Sequence, residues 1–184
     1  QVGTLKIFLS RLATKESFWV FSDDEVELKI TDRENPSILI LASDPGTQDI
    51  NSALYSSVLN RTLRLINSKH NLPGGIIADE FPTIYIHKID NVVATARSNR
   101  VAVLLGLQEI PQLRQFYKKE VADTISAIVG NILSGSARDK NTLEWLEKLL
   151  GKIKQKSFSQ SISQQGTTTS INEKMDFMIP AGKI

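Results

Sequence analysis

Three short apolar runs fix what this chain can become: SILILA at 37–42, GGIIA at 74–78, and RVAVLLGLQ at 100–108. Each is too short for a buried helix and is bounded by turn residues, so each reads as a strand. SILILA and RVAVLLGLQ are continuously apolar, which suits strands buried on both faces. Between the first two lies SDPGTQDINSALYSSVLNRTLRLINSKH. Its Ile50, Ala53, Leu54, Val58, Leu65 and Ile66 repeat on one helical face, with Asp44 or Thr47 as cap and Pro45 in the first turn. Residues 84–97 read as a second helix. Strands alternating with helices predict an α/β fold with a mostly parallel sheet.

The flanks are less regular. At 3–13 the sequence GTLKIFLSRLA is helical in spacing, through Leu5, Phe8, Leu9 and Leu12. SFWVFS at 17–22 is β-rich, and Glu34-Asn35-Pro36 marks a turn. Residues 109–131 are helical or broken helical, and 132–136 (ILSGS) suit a short strand. NTLEWLEKLLG is a capped helix, with Asn141 and Glu144 as a capping-box pair, Leu143, Leu146 and Leu150 as its stripe, and Gly151 as its end. Residues 157–170 turn sharply to Ser, Gln and Thr and read as a flexible loop or linker. Trp19 and Trp145 are expected in packing roles.

Composition excludes several chemistries. The chain of 184 residues has no cysteine and only two histidines, His70 and His87. A disulfide framework, a zinc ribbon and a thiol nucleophile are therefore excluded, and no HExxH or G-x-S-x-G spacing occurs. The net charge of +2 announces no nucleic-acid partner by itself. Six basic residues do gather locally, Arg138, Lys140, Lys148, Lys152, Lys154 and Lys156. They suit either a solvated helix end or contact with a phosphate backbone. No apolar run approaches the roughly 20 residues of a membrane span. A start at Gln1 and an end on MIPAGKI are expected of a piece of a longer protein.

The chemically suggestive stretch is GGIIADEFPTIYI at 74–86. In P-loop NTPases a strand ends in an acid that orders the water shell of Mg²⁺, and a second acid takes a proton from the attacking water. Asp79 and Glu80 fit those two places. Alone, the hexapeptide GIIADE equally fits an acid at the wet edge of any sheet. Arg97 and Arg100 follow on the next helix and its exit, and Gln108 ends the next strand. A glutamine there can read a γ-phosphate, and an arginine near a subunit surface can neutralise charge in a neighbouring site. Each is also an ordinary surface residue; the ordered set along one β-α-β unit narrows the choice. The partner motif G-x-x-x-x-G-K-[ST] is absent. Gly130 and Gly135 have the glycine spacing, but Ser136 and Ala137 follow where lysine and a hydroxyl residue are required.

IIADEFPTI, ARSNRVAVLLGLQEIPQLRQFY and IVGNILSGSARDKNTLEWLEKLLGK together resemble the conjugative coupling proteins of the TraG/TraD family, most closely the Bacteroidetes-type TraG or mobilisation proteins, over roughly 17–153. The resemblance implies a RecA-like P-loop NTPase motor domain, here incomplete because the Walker A half is missing. It places residues 1–153 in the C-terminal portion of the motor, and 154–184 in a polar flexible loop and the truncated end of that domain. By the same resemblance Asp79 is the Walker B aspartate that holds Mg²⁺ through water, Glu80 the catalytic glutamate, Gln108 the γ-phosphate sensor and Arg97 the arginine finger, with Arg100 as the alternative. ATP and Mg²⁺ are then cofactors of the parent, and this fragment alone is expected to be inactive. The implied partners are single-stranded DNA, a relaxase, type IV secretion channel proteins and further copies in a homo-hexamer. The implied location is the cytoplasmic face of the bacterial inner membrane, through an anchor outside this sequence. The alternatives are another RecA-like hexameric DNA translocase and a non-catalytic adaptor that binds DNA or relaxase.

Overall fold

The structure is a computed structural model and describes residues 3, 6, 9, 10, 12–44, 46–163 and 166–184; at 49, 50, 159–163 and 166–169 it describes backbone alone. The expected helix through Leu5 and Phe8, the placement of Pro45 and the side chain of Ile50 lie outside the described residues. The chain divides into two units, 1–107 with 112–130, and 108–111 with 131–184.

In the first unit, the aromatic run at 17–22 is not a strand but part of helix α1, Lys15–Phe21. Thr14 decides this: its hydroxyl accepts the Ser17 N–H at 3.1 Å, an N-cap that overrides the β preference of Phe18, Trp19 and Val20. Trp19 is 82% exposed rather than packed. The expected strand at 37–42 has no ladder among the described residues, and Ile38 and Ile40 are almost fully exposed. Apolar composition gives strand propensity, but a strand needs a neighbour to pair with.

Helix α2, Gln48–Ile66, forms where its period predicts. Its most buried face is rotated from expectation: Thr62, Leu63 and Ile66 are buried, Leu54, Val58 and Leu65 half-buried, and Ala53 exposed. Strand β1, Gly74–Ala78, then pairs in parallel with β2, Val101–Leu105, in the register Gly74↔Val101 to Ala78↔Leu105. Helix α3, Ile89–Ala96, and a 3-10 turn at Arg97–Asn99 form the crossover. Residues 84–88, expected as helix, are not helical; Lys88 in the left-handed region (φ 55°) sets the helix start. β2 is buried on one face only: Val101 is 6% exposed, while Leu104 is 57% exposed beside Ile77 at 80%. Helix α4, Ile110–Ile128, is broken at Lys118 (φ 62°, ψ 158°), in keeping with the broken-helix reading. The core beneath the sheet consists of Leu63, Phe81, Ile86, Ile89, Leu113, Tyr117, Ala122 and Ile125.

In the second unit, residues 132–136 form no strand. Helix α5, Lys140–Leu150, is capped earlier than expected. Asp139, not Asn141, accepts the Thr142 N–H at 3.0 Å. Leu146 is buried, Trp145 half-buried and Leu150 40% exposed. The polar stretch expected as a flexible loop instead forms the distal half of an antiparallel ribbon, β3 (Lys152–Ser163) with β4 (Gly166–Phe177). Composition hid this, because Thr, Ile and Phe supply β preference within a polar run. The ribbon base is tied down by Met178 N–H to Gly151 O (3.0 Å) and Ala181 N–H to the Glu147 carboxylate (3.2 Å).

Candidate functional site

β1 delivers Asp79 and Glu80 to the carboxyl edge of the parallel sheet, where ligands of open α/β sheets bind. Both are exposed. Asp79 Oδ1 accepts the Glu80 N–H at 3.0 Å and helps to set the turn. Glu80 then adopts the left-handed conformation (φ 48°, ψ 40°), which is uncommon for a residue with a side chain. Such a backbone costs about 1–3 kcal/mol and persists only where its surroundings enforce it.

The surroundings do enforce it. Phe81 N–H donates to Gly106 O and Gly106 N–H to Ala78 O, both at 2.8 Å, so the ends of β1 and β2 are stitched together. The Glu80 carbonyl accepts from the Thr83 N–H (2.9 Å) and hydroxyl (2.8 Å). Phe81, 2% exposed, stacks on Tyr117 with centroids 4.8 Å apart. The Tyr117 hydroxyl donates to Ile84 O at 2.7 Å and accepts from the Ile86 N–H at 2.9 Å. Burial pushes this phenol well above its ordinary range, so it remains a neutral donor. Gly106 leaves room for the acid: a Cβ there would stand 3.1 Å from Asp79 Oδ1. None of Gly106, Tyr117 and Thr83 stands out in the sequence by a motif of its own. Gly106 directly follows an apolar strand and was the most findable.

The arginines lie at the other edge of the sheet. Arg97 precedes β2 by four residues, whereas Asp79 follows the end of β1. A five-residue strand separates the two edges by about 13 Å. The geometry therefore does not bring Arg97 to the acids within one chain. Arg97 is exposed, and its guanidinium makes no hydrogen bond or ion pair among the described residues. Arg100 acts locally. Its guanidinium donates to Asn71 O at 2.7 Å and its carbonyl accepts from the Gly74 N–H at 3.2 Å.

Gln108 belongs to the second unit and is exposed. Its neighbour Glu109, which sequence reasoning passed over, ties the 108–111 segment to the approach of α5 within that unit. A Glu109 carboxylate oxygen accepts the N–H groups of Arg138 (3.1 Å) and Asp139 (3.3 Å), just ahead of α5. The Thr142 hydroxyl, then these N–H groups, hold the Glu109 carboxyl below its ordinary range. Thr142 in turn accepts the Ile110 N–H at 3.0 Å.

Asp79 and Glu80 are hard oxygen donors, the class that Mg²⁺ takes one or two at a time beside water and phosphate. Among the described residues no group of three His, Cys, Asp or Glu could hold a metal. The pair thus fits Mg²⁺ only where water and phosphate complete the shell.

Residues 73–181 match the family described as the TraM recognition site of TraD and TraG. The chain belongs to that family. It is the C-terminal part of a TraG/TraD-type coupling protein. No curated protein matches the chain. Solved structures do. The bacterial conjugative coupling protein TrwBdeltaN70, in its unbound monoclinic form, superposes with a TM-score of 0.68 at 17% identity, over 88% of this chain and 39% of that one. TrwB in complex with the non-hydrolysable ATP analogue ADPNP gives 0.68 and 17%, over 88% and 38%. TrwB with ADP and Mg²⁺ gives 0.63 and 16%, over 88% and 38%. At these identities the likeness shows the fold. This TraG/TraD-type chain spans about two fifths of the TrwB structures it matches.

Proposed function

We propose that the chain is the second part of a RecA-like P-loop motor domain in a conjugative coupling ATPase, which delivers relaxase-bound single-stranded DNA to a type IV secretion channel. The observation that carries this reading is the acid pair on an enforced left-handed turn at the carboxyl edge of a parallel sheet. The nucleotides and Mg²⁺ in the TrwB structures support a nucleotide site of the same kind in the parent. The outer face of the sheet, with Ile77 80% and Leu104 57% exposed, supports the reading as part of a larger motor domain, since parallel sheets are covered on both faces in whole α/β domains.

In this reading Asp79 would hold Mg²⁺ through water, and the bound ion would supply charge neutralisation at the phosphates. Glu80 accepts a proton from the attacking water. The water oxygen bonds to the γ-phosphorus as the bond to the β–γ bridging oxygen breaks, and ADP leaves with that electron pair. Gln108 senses the γ-phosphate. Arg97, on the opposite sheet edge, serves the site of a neighbouring copy in a hexamer at the cytoplasmic face of the inner membrane.

Subunit mixing in the full-length protein tests the trans arrangement. Asp79→Asn and Arg97→Ala should each abolish ATP turnover, and mixed oligomers should regain a clear fraction of it. No recovery, with mixing verified by mass, would contradict a trans role for Arg97.

A further inference from the structure

The basic residues at 138–156 are not one cluster. Arg138, Lys140 and Lys148 belong to α5 and its approach, where Lys140 pairs with Glu144 at 3.8 Å. Lys152, Lys154 and Lys156 alternate along β3, so all three project from one face of the ribbon. A solvated helix end does not describe them. The register places Phe177, Met175, Glu173 and Ile171 across from Lys152, Lys154, Lys156 and Phe158 on that face. Glu173 is its sole acid over 152–158 and 171–177.

Apart from half-buried Phe177 the face is exposed: Phe158 is 68% exposed, Ile171 58% and Met175 53%. Lys154 has no ion pair among the described residues. The Lys152 ammonium sits 4.6 Å from the Phe177 ring centroid, and Lys156 meets Glu173 at 3.3 Å. Alternate residues on a strand stand about 6.7 Å apart. That pitch is comparable with successive phosphates of an extended single strand. An exposed aromatic in line with the cations adds the second element of single-strand recognition, a ring on which a base can stack. An acidic protein surface would use the lysines but has no need of Phe158 at the end of the row.

We propose that this face of the ribbon binds single-stranded nucleic acid, with Lys152, Lys154 and Lys156 on successive phosphates and Phe158 stacked on a base. The assignment rests on the coupling-ATPase reading for the choice of DNA and adds the element that touches it. Glu173 acts as an internal competitor that the phosphate displaces from Lys156.

The test is fluorescence anisotropy of labelled oligo(dT) with the 184-residue chain across a salt series. Replacing Lys152, Lys154 and Lys156 by Gln together should weaken binding about tenfold or more and reduce the salt slope by about 2. Phe158→Ala should weaken it about fivefold or more with the slope unchanged. Glu173→Gln should tighten binding, which no general loss of folding can imitate. Lys140→Gln, on α5, should stay within about twofold of wild type, and circular dichroism should match for all variants. Binding indifferent to the ribbon changes puts DNA elsewhere and overturns the assignment while leaving the coupling reading standing. Absence of oligo(dT) binding, with or without lysine-dependent capture of polyglutamate, also overturns it; with that capture, the partner is an acidic protein. Failure of the coupling reading itself is read separately, from ATP turnover of the full-length protein.

Discussion

Asp79 and Glu80 owe their geometry to residues that carry no chemistry. Gly106 leaves space beside Asp79, and Tyr117 clamps the segment just after Glu80 through one ring and two hydrogen bonds. The acids themselves were legible, because two carboxylates ending an apolar run are unusual. Their supports were not: Tyr117 lies more than thirty residues from the backbone it holds, and no local pattern encodes that distance. Glu109 was missed for the same reason, since its partners Arg138 and Asp139 are 29 and 30 residues on. Its carboxyl is held below the ordinary value of 4.5, so folding favours the ionised form. That contribution is fully present above the unfolded value and is lost as pH falls through the lower folded one. The melting temperature of the chain should therefore drop between about pH 5 and pH 3. Glu109→Gln should melt lower at neutral pH and lose less on acidification; parallel pH profiles for the two proteins would refute this role.

At the scale of elements, periodic helices and the β1–α3–β2 unit were readable, because each carries its own pattern. Where partner or cap decided, composition misled. Thr14 turned an aromatic run into α1, SILILA pairs with no strand among the described residues, and a Ser/Thr-rich stretch became a ribbon because its two halves could pair with each other. The two glycines that open β1 illustrate the same point. A Cβ at Gly74 would lie 2.7 Å from the Thr31 methyl, which is buried and β-branched, whereas at Gly75 it would meet nothing within 4 Å. Gly74→Ala should destabilise the chain by about 1–3 kcal/mol by overpacking, and Gly75→Ala should be close to neutral. Urea unfolding of both variants distinguishes them; equal effects would show that the Thr31 contact does not control this entry to the sheet.

For the whole molecule, on the proposed reading the described residues supply one part of a site. They provide acids at one sheet edge, an unengaged arginine at the other and no phosphate loop. A chain that matches only 39% of a coupling-protein structure is consistent with that division. The central claim is that Glu80 is the base of an ATPase centre completed by the rest of the parent. Steady-state ATP turnover of the full-length protein carrying Glu80→Gln, with nucleotide affinity measured in parallel, tests it most directly. The account predicts turnover lower by about a hundredfold or more, the usual contribution of a general base, with affinity retained. Turnover within a few-fold of wild type would contradict it.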